Sequence, residues 1–165
     1  MSHKSDHETL WDLIKDIKFG MLTHRHRDGT LQGHPLTTQN KSIDEGSTLY
    51  FFVSQKSGMT GRLKEDGNVN LAYADPGADN YVSIAGTAVF SNDQALKERL
   101  FNPMAKAWFP GGVTDPDLAL LEVKITHAEY WNSKDSKATQ LFKMAKSAIT
   151  GEPPKNMSEH KELNV

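Results

Sequence analysis

Apolar residues recur at helical spacing in two parts of the chain. Near the start of the chain, these apolar residues are Leu10, Leu13, Ile14 and Ile17. A Ser-x-x-Glu capping box, Ser5 to Glu8, precedes them and predicts a helix that ends at about Lys18. A helix is also predicted over residues 136–150, with Leu141, Met144, Ala145 and Ala148 on one face. Such a face is more apolar surface than one small core needs, so we expect a homodimer.

Between these helices, short apolar runs separated by turns predict five or six strands. Five predicted strands cover residues 21–26, 31–38, 48–53, 69–73 and 81–90. Residues 118–125 and 128–131 are predicted as further strand with a break at residues 126 and 127. Asp28-Gly29 predicts a tight hairpin between the first two. Several connections are too short for the crossovers of a parallel sheet, which favours a mainly β fold, an antiparallel barrel with peripheral helices. Pro35 predicts an interrupted, bulged or edge strand, and Gly86 predicts a bulge.

The remaining segments are shorter. Ser57 is predicted to cap a helix that runs to Lys64, and Asn92-Asp93 to open another that Pro103 ends. Residues 104–116 contain Trp108 and a Gly-Gly pair, and they are interpreted as an irregular cover loop in which residues 104–108 can form a helical turn. We expect a single domain over residues 1–151 and a polar, flexible tail over residues 152–165.

Composition limits the chemistry that is available. The 165 residues suffice for one ordinary domain, and the absence of cysteine excludes disulfides, thiolate metal sites and thiol nucleophiles, so redox chemistry requires a cofactor. The net charge of −2 gives no reason to expect a nucleic-acid partner. No apolar stretch reaches the roughly 20 residues of a membrane span, and the polar start does not resemble a signal peptide. We therefore expect no membrane partner and a cytoplasmic location.

The residues alone suggest several candidate sites. No Gly-x-Gly-x-x-Gly, P-loop or Gly-x-Ser-x-Gly pattern is present. His24 and His26 share a strand face, but surface histidines are the better interpretation and no metal is expected. The segment from Ser54 to Thr60 follows a buried strand and precedes a helix, so it is either a phosphate site or a capped polar loop. Trp131 either packs in the core or faces a flat ligand.

The chain resembles the general stress protein 26 family, a branch of the pyridoxamine 5′-phosphate oxidase-like, FMN-binding split-barrel proteins. The resemblance extends over residues 10–151 and rests on Phe19-Gly20-Met21-Leu22-Thr23, Leu49-Tyr50-Phe51-Phe52-Val53-Ser54, Trp108-Phe109-Pro110-Gly111-Gly112 and Ala128-Glu129-Tyr130-Trp131. It implies a six-stranded antiparallel split barrel that forms a homodimer and binds flavin, FMN or FAD, in two grooves between subunits.

The resemblance also implies which residues bind the flavin. They are His34, Pro35, Leu36 and Thr37 along the second strand, Val53 and Ser54 after the third, Ser57, Gly58 and Met59 in the phosphate loop, and Trp131 from the dimer interface. Many relatives have a basic residue in the phosphate loop where this chain has Gly58-Met59, so Lys56 or Arg62 is expected to supply the charge. From the residues alone, Trp108 either forms an aromatic wall around a flat ligand or plugs one end of the barrel.

Three functions follow from this resemblance. The first is a flavin-dependent oxidoreductase of the stress response, in which the flavin carries the electrons. The second is a non-enzymatic flavin binding or storage protein, which the lack of an evident catalytic acid or base favours. Oxidation of pyridoxamine 5′-phosphate is less favoured, because no Arg-Leu-His motif follows Trp131. No catalytic residue is assigned.

Overall fold

The computed structural model describes residues 4–43, 46–133, 135, 137–155 and 157–165. Its elements, in chain order, are α1 (Asp6–Ile14), β1 (Phe19–Arg25), β2 (Leu31–Thr37), β3 (Thr48–Ser54), α2 (Gly58–Glu65), β4 (Asn68–Asp75), β5 (Asn80–Ser91), α3 (Gln94–Leu100), α4 (Pro103–Trp108), β6 (Leu118–Asn132), α5 (Lys137–Thr150) and β7 (Glu159–Leu163). A single 3-10 turn, Gly112–Thr114, lies between α4 and β6.

All strand pairs are antiparallel, and six strands follow one another in the order β2-β1-β4-β5-β6-β3, with β7 added beside β6. A bridge between Thr38 and Phe51 brings the two ends of this series together, because it links the residue after β2 to β3. The mainly β barrel with peripheral helices that the sequence predicts is therefore confirmed. Within the described residues, no helix has the length and apolar character needed to cross a membrane.

The core lies inside the curled sheet and follows the alternation of each strand. Its fully buried members include Leu22, Leu49, Phe51, Leu71, Ile84, Leu121 and Val123. Helix α1 covers this core with Leu10 and Ile14, and its capping box is present, since Ser5 Oγ accepts from the Glu8 amide and Glu8 accepts from the Ser5 amide. The helix ends at Ile14 rather than near Lys18, because the chain turns there to begin β1 at Phe19.

Strand β6 is continuous, where the sequence predicts strand with a break at residues 126 and 127. The register with β5 shifts between Ala85 and Gly86, so that Ala85 pairs with His127 and Gly86 with Ile125, and Thr126 is the extra residue. A side chain at Gly86 would lie 2.7 Å from the Lys124 carbonyl oxygen, which explains the glycine. The bulge predicted at Gly86 is confirmed, and it hides the alternation that would otherwise identify one long strand.

Strand β7 also differs from the prediction, since the sequence predicts a polar, flexible tail over residues 152–165. Residues 159–163 instead pair with the end of β6, and Leu163 is buried in the core. Backbone hydrogen bonds to β6 hold this strand, and one inward apolar residue is too little alternation to predict it.

Candidate functional site

A cleft of about 890 Å³ lies between the end of β2, the junction of β3 with α2, and the segment from α3 to α4. Its volume falls in the usual range for small-molecule sites. Nine of the twelve residues predicted to bind flavin line it, namely His34, Pro35, Leu36, Thr37, Val53, Ser54, Ser57, Met59 and Trp108. Lys56, Gly58 and Trp131 are not among the residues that line this cleft.

The β2 side of the cleft is an edge strand, as Pro35 predicts. Pro35 is paired with Met21 of β1 on one side, and β2 is at the end of the strand order. A proline fits this place because an edge strand does not need every amide N–H for the sheet. The side chains of His34 and Leu36 therefore reach the cleft from a strand whose other edge is not part of a continuous ladder.

His34 is hydrogen-bonded to a buried histidine of β1. The Nε2 atoms of His24 and His34 are 3.1 Å apart, and His24 is 2% exposed. The expectation that His24 lies on the surface is wrong, because β1 is an inner strand and His24 points into the fold. Burial, followed by the charge of His34, lowers the pKa of His24, so His24 is neutral at neutral pH.

The tautomers of His24 and His34 follow from a ring nitrogen of His24 that has no hydrogen-bond partner among the described residues. The Nδ1 atom of His24 is buried without a hydrogen-bond partner among the described residues, and a buried lone pair costs less than a buried N–H. We therefore assign the His24 proton to Nε2, from which it is donated to His34 Nε2. In its neutral form, a His34 ring that accepts this bond carries its proton on Nδ1.

The predicted phosphate loop is a capped helix start whose donors already bind a carboxylate. Ser57 caps α2 and accepts from the Met59 amide. Ser54 Oγ donates to both Asp117 carboxylate oxygens at 2.8 and 2.7 Å, and the Lys56 amide donates to Asp117 at 3.1 Å. The Ser54 hydroxyl is the largest cause that holds the pKa of Asp117 below its usual range. An anionic ligand at this place would share or replace the contacts of Asp117.

The positive charges near the cleft differ from the expected ones. Lys18 and Lys41 line the cleft, and sequence reasoning missed both. Arg62 is committed elsewhere, since its guanidinium pairs with Glu65 and Asp66. Neither lysine belongs to a motif, so only their place on either side of the β1–β2 hairpin in the folded chain identifies them.

The third wall is formed by α3, which the sequence predicts as a helix, and by α4, which lies at the start of the predicted cover loop. Asn102 caps α4 by accepting from the Ala105 amide at 3.0 Å, and its Nδ2 donates to Gln39 Oε1 at 2.7 Å. Gln39 follows β2, so this bond joins two walls of the cleft. The apolar lining here, which sequence reasoning also missed, consists of Leu100, Phe101, Met104 and Phe109. Trp108 is 80% exposed at the rim.

Trp131 lies far from the cleft, near the end of strand β6. Leu118, the first residue of β6, pairs with Ser54 at the cleft, and Trp131 is near the other end of β6, roughly 40 Å further along the strand. There its indole stacks on the His160 ring, with centroids 4.7 Å apart and 3° between planes. A role of Trp131 in ligand binding would therefore concern the cleft of a partner subunit.

The site therefore has aromatic and aliphatic walls, a histidine donor on one strand and hydroxyl groups with a helix start at one end. This arrangement suits a flat heteroaromatic ring that carries a polar or anionic tail.

Comparisons with known proteins place the chain in a family. A family model described as pyridoxamine 5′-phosphate oxidase like matches residues 5–155. The chain is 30% identical over 148 residues to protein bli-3 of Neurospora crassa, covering 82% of this chain and 69% of that protein. It is 27% identical over 135 residues to general stress protein 26 of Bacillus subtilis, covering 78% and 95%.

Among solved structures, the general stress FMN/FAD binding protein of Xanthomonas citri is 32% identical, with a TM-score of 0.67 and coverage of 79% of this chain and 90% of that one. The shared fold confirms the predicted split barrel of the FMN-binding type. The family match covers most of the chain and agrees with the cleft described above. This chain belongs to the pyridoxamine 5′-phosphate oxidase-like family, and it resembles the general stress proteins within it.

Proposed function

We propose that this protein binds a flavin, FMN or FAD, in the cleft between β2, β3 and α4. The observation that supports this most is the convergence of nine predicted flavin-binding residues, from segments far apart in sequence, on one cleft. The name of the Xanthomonas citri relative, an FMN/FAD binding protein, agrees with this assignment.

In this proposal the isoalloxazine ring lies between β2 and the apolar residues of α3 and α4. His34 offers its Nδ1–H to a ring oxygen or nitrogen, because His24 fixes the tautomer. The phosphate is near Ser54 and Ser57, at the N-terminus of α2, where the helix dipole favours an anion. Lys18 and Lys41 supply positive charge at the cleft.

Asp117 reduces the preference of the cleft for phosphorylated over unphosphorylated flavin. Its carboxylate holds the Ser54 hydroxyl and the Lys56 amide, and both are donors that a phosphate would use. A phosphate must therefore compete with a like charge for its hydrogen bonds. The chain gains less from the flavin phosphate than a site with free donors would.

The flavin, when bound, supplies the redox chemistry, and the chain orients it and excludes water. A flavin-dependent oxidoreductase is the leading function in this proposal. The alternative is flavin binding or storage without turnover. It agrees with the few groups that could act as acid or base, since His34 and Asp117 are the histidine and the carboxylate among the described lining residues. Oxidation of NADH or NADPH by the flavin-loaded protein would distinguish the two.

The proposed unit is a homodimer. Helix α5 exposes Leu141, Phe142, Met144 and Ile149, which are between 56% and 87% exposed in one chain. Large apolar side chains in such number on one helix are typical of a subunit interface. A dimer also provides a way for Trp131 to approach a cleft.

Flavin titration of the purified full-length chain tests the proposal. We expect FMN, FAD and riboflavin each to bind at one per chain, with a shift of the visible absorption bands and quenched flavin fluorescence. Trp108→Ala should weaken all three by about threefold to tenfold, the value of one aromatic contact. Leu31→Ala, which removes an exposed apolar side chain of the hairpin outside the cleft, is the matched control and should change nothing.

Two results would contradict the proposal. One is the absence of saturable flavin binding in a folded, dimeric sample. The other is binding that Trp108→Ala and Leu31→Ala weaken equally. Release of pyridoxal 5′-phosphate from pyridoxamine 5′-phosphate would instead support the third function.

A further inference from the structure

One face of the β6–β7 pair brings together histidines and carboxylates outside the cleft. In this antiparallel pair Glu129 is opposite Glu162, and Trp131 is opposite His160. Alternate residues of a strand share a face, so His127 and Glu129 of β6 lie on the same side as Glu162 and His160 of β7. The ligand atoms of His127, Glu129 and Glu162 all lie within 4.8 Å of one another.

The charges on this face are unbalanced. Like charges directly opposite each other on neighbouring strands destabilise the pair. Glu129 accepts a hydrogen bond from His160 Nε2 at 2.9 Å, but neither Glu129 nor Glu162 contacts a lysine or arginine in the ranges that the structure describes. Lys161, the nearest cation in sequence, is on the opposite face and pairs with Asp6. A cation between the two carboxylates would remove this repulsion.

We propose that His127, Glu129 and Glu162 form a binding site for a divalent transition-metal ion of the Zn²⁺ class. One imidazole nitrogen and two carboxylates are a ligand set that Zn²⁺ accepts, whereas Mg²⁺ and Ca²⁺ favour oxygen ligands alone. Ligands about 2.0–2.2 Å from a tetrahedral ion are roughly 3.4 Å from one another, so the separation of up to 4.8 Å closes by rotation of side chains.

The site joins two strands, and this gives it a structural consequence. His127 and Glu129 belong to β6 and Glu162 to β7, so a bound ion crosslinks the C-terminal strand to the sheet. An ion that binds the folded chain and not the unfolded chain raises the thermal midpoint of unfolding. This effect does not depend on flavin, because the site is outside the cleft.

Calorimetric titration of the chelator-treated full-length chain with ZnCl₂ tests the proposal. We expect one Zn²⁺ per chain, a higher thermal midpoint with Zn²⁺, and no comparable effect of MgCl₂. His127→Asn and Glu162→Gln should each weaken Zn²⁺ binding by about tenfold or more. His26→Asn is the matched control, since His26 is a partly exposed histidine of the β1–β2 hairpin, and it should bind Zn²⁺ as the unchanged chain does.

Glu162→Gln provides a second, opposite readout. Without metal, this variant removes the repulsion from Glu129 and should have a higher thermal midpoint than the unchanged chain, yet it should gain less from Zn²⁺. Equal stabilisation by Mg²⁺ and Zn²⁺ would overturn the proposal, because it would show general screening of charge. Unaltered Zn²⁺ affinity in folded His127→Asn and Glu162→Gln would overturn it as well.

Discussion

Replacement of Asn102 by alanine should loosen the cover of the cleft while the barrel stays folded. Both ends of the Asn102 amide are used, since Oδ1 caps α4 and Nδ2 donates to Gln39 across the cleft. Loss of an N-cap costs about 1 kcal/mol, and loss of one further hydrogen bond costs about 1 kcal/mol. We therefore expect Asn102→Ala to lower the free energy of unfolding by about 2 kcal/mol.

A double-mutant cycle divides this cost between its two causes. Asn102→Ser keeps an acceptor that can cap α4 but is too short to reach Gln39, so it should recover the capping part. Gln39→Ala removes the cross-cleft bond from the other side and leaves the cap in place. Urea unfolding, followed by circular dichroism, gives the four free energies, and a coupling of about 1 kcal/mol between positions 39 and 102 is expected.

In a chain with Trp11→Phe and Trp131→Phe, the fluorescence of Trp108 reports the cover separately, because Trp108 ends α4. If α4 opens before the barrel, the fluorescence transition of Asn102→Ala should precede that of circular dichroism. Additive effects of the two substitutions would refute the idea that their hydrogen bond joins the walls. Flavin affinity that is unchanged in Asn102→Ala would refute the role of this wall in binding.

Three further outcomes follow from the site. Asp117→Asn should strengthen binding of FMN by roughly tenfold and leave riboflavin unchanged, because one like charge beside the phosphate is removed; flavin titration measures both. Trp131→Phe should remove much of the quenching of protein fluorescence by flavin only in the dimer, so dilution to monomer should abolish the difference. Burial raises the pKa of Tyr73 to about 12, so its contribution to stability is complete below the ordinary value of 10 and is lost as pH rises through the folded value. Urea unfolding of Tyr73→Phe across this range should show a flatter pH dependence.

Local sequence predicts the parts of the fold whose cause is local. The β1–β2 hairpin is an example, since Gly29 has a φ of 89° and Asp28 Oδ1 accepts from the Thr30 amide at 2.9 Å. The capping box of α1 and the N-caps of α2 and α3 are equally local, and they lie where the sequence predicts them. Each depends on residues within three positions of one another.

The unpredicted parts depend on contacts between distant segments. Strand β7 exists because β6 offers it an edge, and nothing in residues 159–163 except Leu163 indicates burial. In the cleft, the residues on β2 and after β3 are predicted from the family resemblance, whereas Lys18, Lys41 and Asp117 belong to no motif. Asp117 reaches the phosphate loop only because β6 pairs with β3, which places Leu118 opposite Ser54.

The C-terminal strand is connected to the proposed flavin site through Trp131. Strand β6 runs from the cleft at Leu118 to Trp131, so one strand contributes to a cleft at its start and offers an aromatic ring at its far end. The ring plane of Trp131 is set by its stacking on His160 of β7. In a dimer that brings this ring to the partner's cleft, residues 159–163 would orient a wall of a site on another chain. The same strand carries Glu162, so metal bound on this face would stabilise the strand that holds Trp131 in place.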